Sequence, residues 1–213
     1  MEYSDIMYGT NSRRRSGVHF NDRELREILI SIAVMTVAFY MAIRRSPLGF
    51  LLPGERVFLF SSFLAVTTAF FGSLIVEKRV ATDLGAHVEY AYSPMGLVIA
   101  FVTGFIGFVV AMPGRTMLYG GYGMDRSAVG RIFFSGILTN VILAVLFMAL
   151  FLSGIHPILM IVGSMVAWIN IILSVFGLIP FRGTPGYSVY EWSKPRYFGL
   201  CATVAVLAIV YLI

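Results

Sequence analysis

Six apolar runs, at residues 28–43, 57–76, 96–112, 132–152, 158–179 and 198–213, limit what this chain can fold into more than any other feature. A helix needs roughly 20 predominantly apolar residues to cross a hydrocarbon core, and several runs approach that length. Hydrophobic residues make up 58% of the 213 positions and charged ones 13%, against about half and a quarter in soluble domains. The runs therefore specify an integral, multi-pass membrane protein. Its spans are helical because a helix satisfies its backbone hydrogen bonds within one segment.

Ahead of the first run, residues 1–24 read as a polar, basic and flexible tail, and residues 25–213 as one membrane domain. The tail has no short apolar core with a small-residue cleavage site, so the first run reads as a retained span. Its tract Arg13, Arg14 and Arg15, together with a net charge of +5, suits an orientation signal beside a first membrane helix better than a nucleic-acid patch. The expected partners are thus the lipid bilayer and no nucleic acid. Asn21, Asp22 and Arg23, followed by Glu24 and Glu27, supply a cap and an acidic first turn for helix one.

The distribution of Lys and Arg tests which runs cross. With six crossings and an internal N-terminus, seven basic residues face in and nine face out, which gives no orientation signal. If run 96–112 enters and returns on one side, thirteen face in and three face out. That run also holds Gly96, Gly104 and Gly107 and ends at Pro113 and Gly114, a composition suited to a broken segment. Non-helical backbone survives at membrane depth only under a cover of protein or water. The expected architecture is an all-α fold of five crossings plus a re-entrant segment, with six simple spans as the alternative. The N-terminus is expected in the cytoplasm and the protein in the cell membrane. After the second run, Val88, Tyr90 and Tyr92 alternate up to Ser93 and Pro94, the pattern of a short strand or hairpin.

Three stretches, in this order, resemble the site-2 protease family of intramembrane zinc metalloproteases, especially its short archaeal-type members. Asp83-Leu-Gly-Ala-His-Val-Glu-Tyr90 with Ser93-Pro-Met-Gly-Leu97 is similar to the family's K-L-G-A-x-x-E-F…G-L, and Pro113-Gly114 falls at its P-G-A turn. Gly130-Arg-Ile-Phe-Phe-Ser-Gly-Ile-Leu-Thr-Asn140 is similar to G-x-I-x-x-A-G-P-x-x-N. Trp168-Ile-Asn170 and the stretch from Phe176 through Pro180 and Gly186 to Trp192 resemble F-N-L-I-P-F-x-P-L-D-G-x-K-V-x-x-W. The retained family positions are Gly85, Glu89, Gly96, Pro113, Gly114, Gly136, Asn140, Asn170, Pro180 and Gly186.

In that family, two His four residues apart on one helix bind zinc, the Glu after the first His activates water, and a distant Asp completes the ligand set. Residues four apart share a helix face, so both rings reach one ion, and three protein ligands leave a fourth position for water. Counted back from Leu84 and Gly85, the motif falls on Ser73, Leu74 and Glu77, and the distant Asp falls on Pro185. Leu transfers no proton, and the proline side chain coordinates nothing. The expectation is therefore no catalytic residues, no metal and no cofactor, although the family would imply zinc.

Replacement chemistry is equally hard to find. His19, His87 and His156 form no pair at helical spacing, and the single Cys201 excludes both a disulfide within the chain and a cysteine cluster. Ser73 has no His or Lys placed to take its proton, because Lys78 follows Glu77 directly and adjacent helix residues do not face each other. The glycines at 120–123 lack the Lys and helix of a phosphate cradle. Glu77 and Lys78 lie at the end of an apolar run, where both side chains are expected to reach the headgroup level; a polar cavity surviving at the zinc position is the other reading.

The resemblance thus implies a proteolytically inactive relative that binds membrane-protein segments, as a regulator or as a subunit of a larger complex. The family's edge strand falls on Val88, Tyr90 and Tyr92, and strand addition needs no metal. The alternative is a metalloprotease with an atypical site or one completed by a partner. Transport is disfavoured, since the spans are few and no inverted repeat is evident.

Overall fold

A computed structural model describes residues 18–44, 54–119 and 124–213. Most of the expected basic tail and the glycine-rich segment 120–123 lie outside the described residues. In chain order the elements are α1 (Asp22–Arg44), α2 (Arg56–Asp83), β1 (His87–Tyr92), α3 (Pro94–Ile106), β2 (Gly114–Tyr119), α4 (Arg126–Leu152), α5 (Pro157–Gly177), α6 (Pro185–Trp192) and α7 (Lys194–Leu212). Among them α1, α2, α4, α5 and α7 are long and apolar enough to cross a membrane. The protein is an all-α membrane protein carrying a small two-stranded sheet.

Run 96–112 does not form a sixth span. Its helix α3 has 13 residues, about 20 Å of rise, which falls short of a hydrocarbon core of about 30 Å. Ser93 and Pro94 start it, the Ser93 hydroxyl accepting from the Gly96 N–H at 3.1 Å. Gly107 ends it at φ 107°, left-handed backbone that a side chain would strain. The chain then returns in extended form, with the Val110 N–H donating to the Thr103 hydroxyl at 3.0 Å. It passes so close to Gly96 that a Cβ there would collide with the Met112 carbonyl. Finally β2 pairs antiparallel with β1, Tyr92 opposite Gly114 and His87 opposite Tyr119, and the Ser93 N–H donates to the Pro113 carbonyl at 2.8 Å. Both ends of the run are therefore tied together, as a re-entrant segment requires. The alternation at Val88, Tyr90 and Tyr92 predicts β1, whereas its partner β2 is marked only by the strand-favouring Thr116 and Tyr119.

α4 and α5 pack along each other and against α2, while α1 packs on α2 and on α3. One apolar core joins α1, α2 and the hairpin through Ile28, Met35, Val66 and Val88, and a second joins α4 to α7 through Ala144, Ile171, Val189 and Val204. Where the hairpin meets the helices the contacts turn polar. Lys78 donates to the Glu24 carboxylate at 2.9 Å, to the Val88 carbonyl at 2.7 Å and to the His19 carbonyl at 3.1 Å. Glu24 also accepts from the Tyr90 N–H at 2.8 Å, and Glu27 accepts from the Tyr92 N–H at 3.1 Å and from Arg23 at 2.7 Å. The Tyr90 hydroxyl meets that of Ser31 at 2.9 Å, and burial pushes its phenol above the usual range, which keeps it neutral.

This cluster corrects the expectation for Glu77 and Lys78. Helix α2 continues to Asp83 rather than ending at these residues, and both side chains are buried inside the protein. The Lys78 side chain is only 2% exposed because α1 and the hairpin close over it, and Glu77 is buried as well. A buried charge left without its partner costs about 3–5 kcal/mol. Lys78→Met is therefore expected to destabilise the protein by about that amount, and adding Glu24→Leu to recover part of the loss, read from reversible unfolding in detergent. Losses that simply add would mean that the two charges are not coupled.

Candidate functional site

A cavity of about 650 Å³ opens between α2, the hairpin, α4 and the turn joining α5 to α6. Each of these elements contributes from its own local geometry. On α2, Ser73 and Glu77 are four residues apart and share a face with Leu74 toward the cavity. On the far side, Pro185 opens α6, with Thr184 as its cap accepting from the Tyr187 N–H at 3.3 Å. Proline suits this first helical position because its missing N–H would have had no helical acceptor. The Thr184 hydroxyl also donates to the Ile179 carbonyl at 2.6 Å, which folds the turn back over the end of α5. All four positions singled out in the sequence, Ser73, Leu74, Glu77 and Pro185, thus meet at one cavity.

Their chemistry is specific. The Ser73 hydroxyl is directed into its own helix, donating to the carbonyls of Ala69 at 2.7 Å and Phe70 at 3.2 Å. Leu74 is 4% exposed and presents hydrocarbon. The Glu77 carboxyl lies beside Thr116 on β2. It rests directly on Gly136 of α4, where an added Cβ would lie 2.7 Å from the Glu77 Cδ. One turn along α4, Asn140 also lines the cavity, and its amide oxygen is buried with no hydrogen-bond partner among the described residues.

These groups do not fit a zinc ion. A stable site needs three or four ligands, and the donor set here is one carboxyl group, a serine hydroxyl bonded to its own helix, a leucine and a proline. Among the described residues no three His, Cys, Asp or Glu side chains come together. His87 lies on the hairpin, 3.3 Å from Glu89, whereas His156 caps α5 by accepting from the Ile158 N–H at 3.2 Å.

The other family-type positions divide into two groups. Pro113, Gly114 and Asn140 line the cavity, and Gly136 supports it through Glu77. Gly85 turns α2 into β1 at φ 79°, Gly96 lies under the returning chain, and Gly186 packs on the Leu178 backbone, all outside the lining. Glu89 faces outward and Pro180 is exposed in the α5–α6 turn. Asn170 is fully buried within α5, donating to the Val166 carbonyl at 2.8 Å. Sequence reasoning missed Thr116, Arg115 and Arg182, which also line the cavity. The strand-favouring Thr116 and Tyr119 beyond Pro113 and Gly114 were the one signal for the first two.

Tyr90 and Tyr92 line the cavity, but Val88 lies beneath it, fully buried. In an antiparallel pair, alternate residues send their backbone groups to opposite edges. On β1, three of the groups not used toward β2 are occupied by side chains: the Tyr90 and Tyr92 N–H by Glu24 and Glu27, and the Val88 carbonyl by Lys78. Among the described residues β2 pairs with no strand except β1. An added strand would thus meet β2 rather than the β1 positions Val88, Tyr90 and Tyr92.

Over 183 residues the chain is 28% identical to a protein of Methanocaldococcus jannaschii named "putative zinc metalloprotease", an alignment that covers 82% of this chain and 86% of that protein. This likeness supports a relationship to metalloproteases of the site-2 type. No family model matches the chain, and no solved structure matches it significantly.

The contact between Glu77 and Gly136 is testable. Gly136→Ala is expected to cost about 1–3 kcal/mol by overpacking, and the same change in a Glu77→Ala background to cost much less. Thermal unfolding of the three variants in detergent measures this. An equal cost in both backgrounds would show that Glu77 is not what fills the space at Gly136.

Proposed function

We propose that this chain is a non-hydrolytic relative of the site-2 proteases that holds a segment of a partner membrane protein in the cavity beside β2. The observation that carries this reading is the convergence of Ser73, Leu74, Glu77 and Pro185 on one cavity that retains its frame without a zinc donor set. Hydrolysis of a peptide bond needs an activated water and a group to move its proton, and Leu74 stands where the family places that group. Holding a segment needs only room and backbone partners. The cavity supplies the room, and the outer edge of β2 supplies N–H and C=O groups for strand addition. In this reading the N-terminus lies in the cytoplasm and the protein resides in the cell membrane, as a regulator of its partner or as a subunit of a larger complex.

The name of the similar archaeal protein favours a second reading, a metalloprotease whose site is completed by a partner. Zinc content separates the two. The purified chain is expected to carry far less than one zinc per molecule. The combined substitution Ser73→His, Leu74→Glu, Glu77→His and Pro185→Asp is expected to bring zinc toward one per molecule. Near-stoichiometric zinc in the unaltered protein would contradict the proposal, and zinc in neither protein would contradict the assignment of the four positions.

A further inference from the structure

On the inner wall of the cavity, Glu77 has no cation beside it and the Asn140 amide oxygen has no donor among the described residues. Glu77 is buried on a membrane-spanning helix, with Thr116 beside its carboxyl group. No cation among the described residues contacts it, since the adjacent Lys78 is engaged by Glu24 and by the carbonyls of His19 and Val88. The Asn140 amide oxygen has no partner, although the residue is only 9% exposed. The proton of Ser73 is directed to Ala69 and Phe70, which leaves its oxygen as a further acceptor. Buried acceptors without donors are costly at this depth, and so is charge on Glu77 until a countercharge reaches it.

A single kind of group relieves both costs. An ammonium brings a positive charge with three donors, and a guanidinium brings one with five. A divalent metal ion would need more oxygen ligands than these walls supply. A Lys or Arg within a membrane segment is itself expensive and is stabilised by an acidic partner. We propose that the cavity receives the basic side chain of a partner membrane segment, with Glu77 as its countercharge and the Asn140 amide oxygen as a second acceptor.

This proposal rests on the reading that the cavity holds a partner segment, and it specifies what that segment carries. Arg115 and Arg182 also line the cavity, but both are exposed. Their repulsion of an entering cation is screened over about 10 Å. The attraction to Glu77 acts in lower dielectric and is correspondingly stronger.

The test uses the full-length protein in lipid nanodiscs and two fluorescent apolar peptides, each about 20 residues long to match a bilayer. They differ only at the central position, lysine in one and norleucine in the other. The lysine peptide is expected to bind about 30-fold more tightly, the lower range for one buried charge pair. Glu77→Gln should remove that preference, bringing the two peptides to equal affinity, and Asn140→Leu should reduce it. Thermal unfolding confirms that each variant is folded, and if Glu77→Gln is not, Asn140→Leu carries the same reading. Equal binding of both peptides to the unaltered protein would overturn the cation site and leave the segment-holding reading standing. Binding of neither peptide would overturn both, and a lysine preference that survived Glu77→Gln and Asn140→Leu would place the cation elsewhere and overturn the proposal.

Discussion

The buried pairing of Lys78 with Glu24 is the contact on which the rest of the arrangement depends. It joins α2 to α1 through charge, and both partners also bind the backbone of β1. The hairpin is thereby fixed against the helices without a third strand, and a two-stranded hairpin is marginal on its own in water. Once β1 is fixed, β2 must return to it, and the run between them turns back so that both its ends meet at the sheet. The same constraint brings Thr116 to Glu77 and places Tyr90 and Tyr92 at the cavity wall. Ion pairs of this depth do little for net stability but penalise any arrangement that separates them. Here the separated arrangement would be a hairpin detached from the bundle.

The cavity combines two properties that a protease site would not leave together. Its frame is close-fitting: Gly136 admits the Glu77 carboxyl, and Pro185 starts α6 against the turn that closes one side. Its chemistry is weak, with Leu74 and Pro185 presenting hydrocarbon where the resemblance implies a base and a ligand. A frame kept in place around inert side chains is consistent with binding, because binding depends on shape and on unmet hydrogen bonds whereas hydrolysis depends on proton transfer. The chain's 28% identity to a protein named as a zinc metalloprotease extends over most of both chains, so the likeness lies in the whole scaffold rather than in one motif.

Much of this was legible in the sequence. The apolar runs mark the spans because a bilayer demands length and hydrophobicity and little else, and the basic residues distinguish five crossings from six. Counting along the chain placed Ser73, Leu74, Glu77 and Pro185, and helical spacing put the first three on one face. What the sequence concealed were contacts between distant residues. Nothing local links Lys78 to Glu24, 54 positions apart, and Lys78 therefore reads as a headgroup residue at a helix end. The occupied edge of β1 was hidden for the same reason: Glu24 and Glu27 look like first-turn acids of a helix, and they serve as acceptors for a strand more than 60 residues away. Gly136 resembles an ordinary small packing residue of a membrane helix until the Glu77 carboxyl is found resting on it.

In the proposed role, a partner segment enters this cavity and leaves uncut. A photo-reactive residue at Leu74, in the full chain in its native membrane, tests this most directly when compared with the same residue at Ile142, which is 50% exposed on α4. The expected result is a covalent adduct with a full-length membrane protein from position 74 and none with that protein from position 142. An adduct from position 74 with a truncated partner, or the same labelling from both positions, would contradict it.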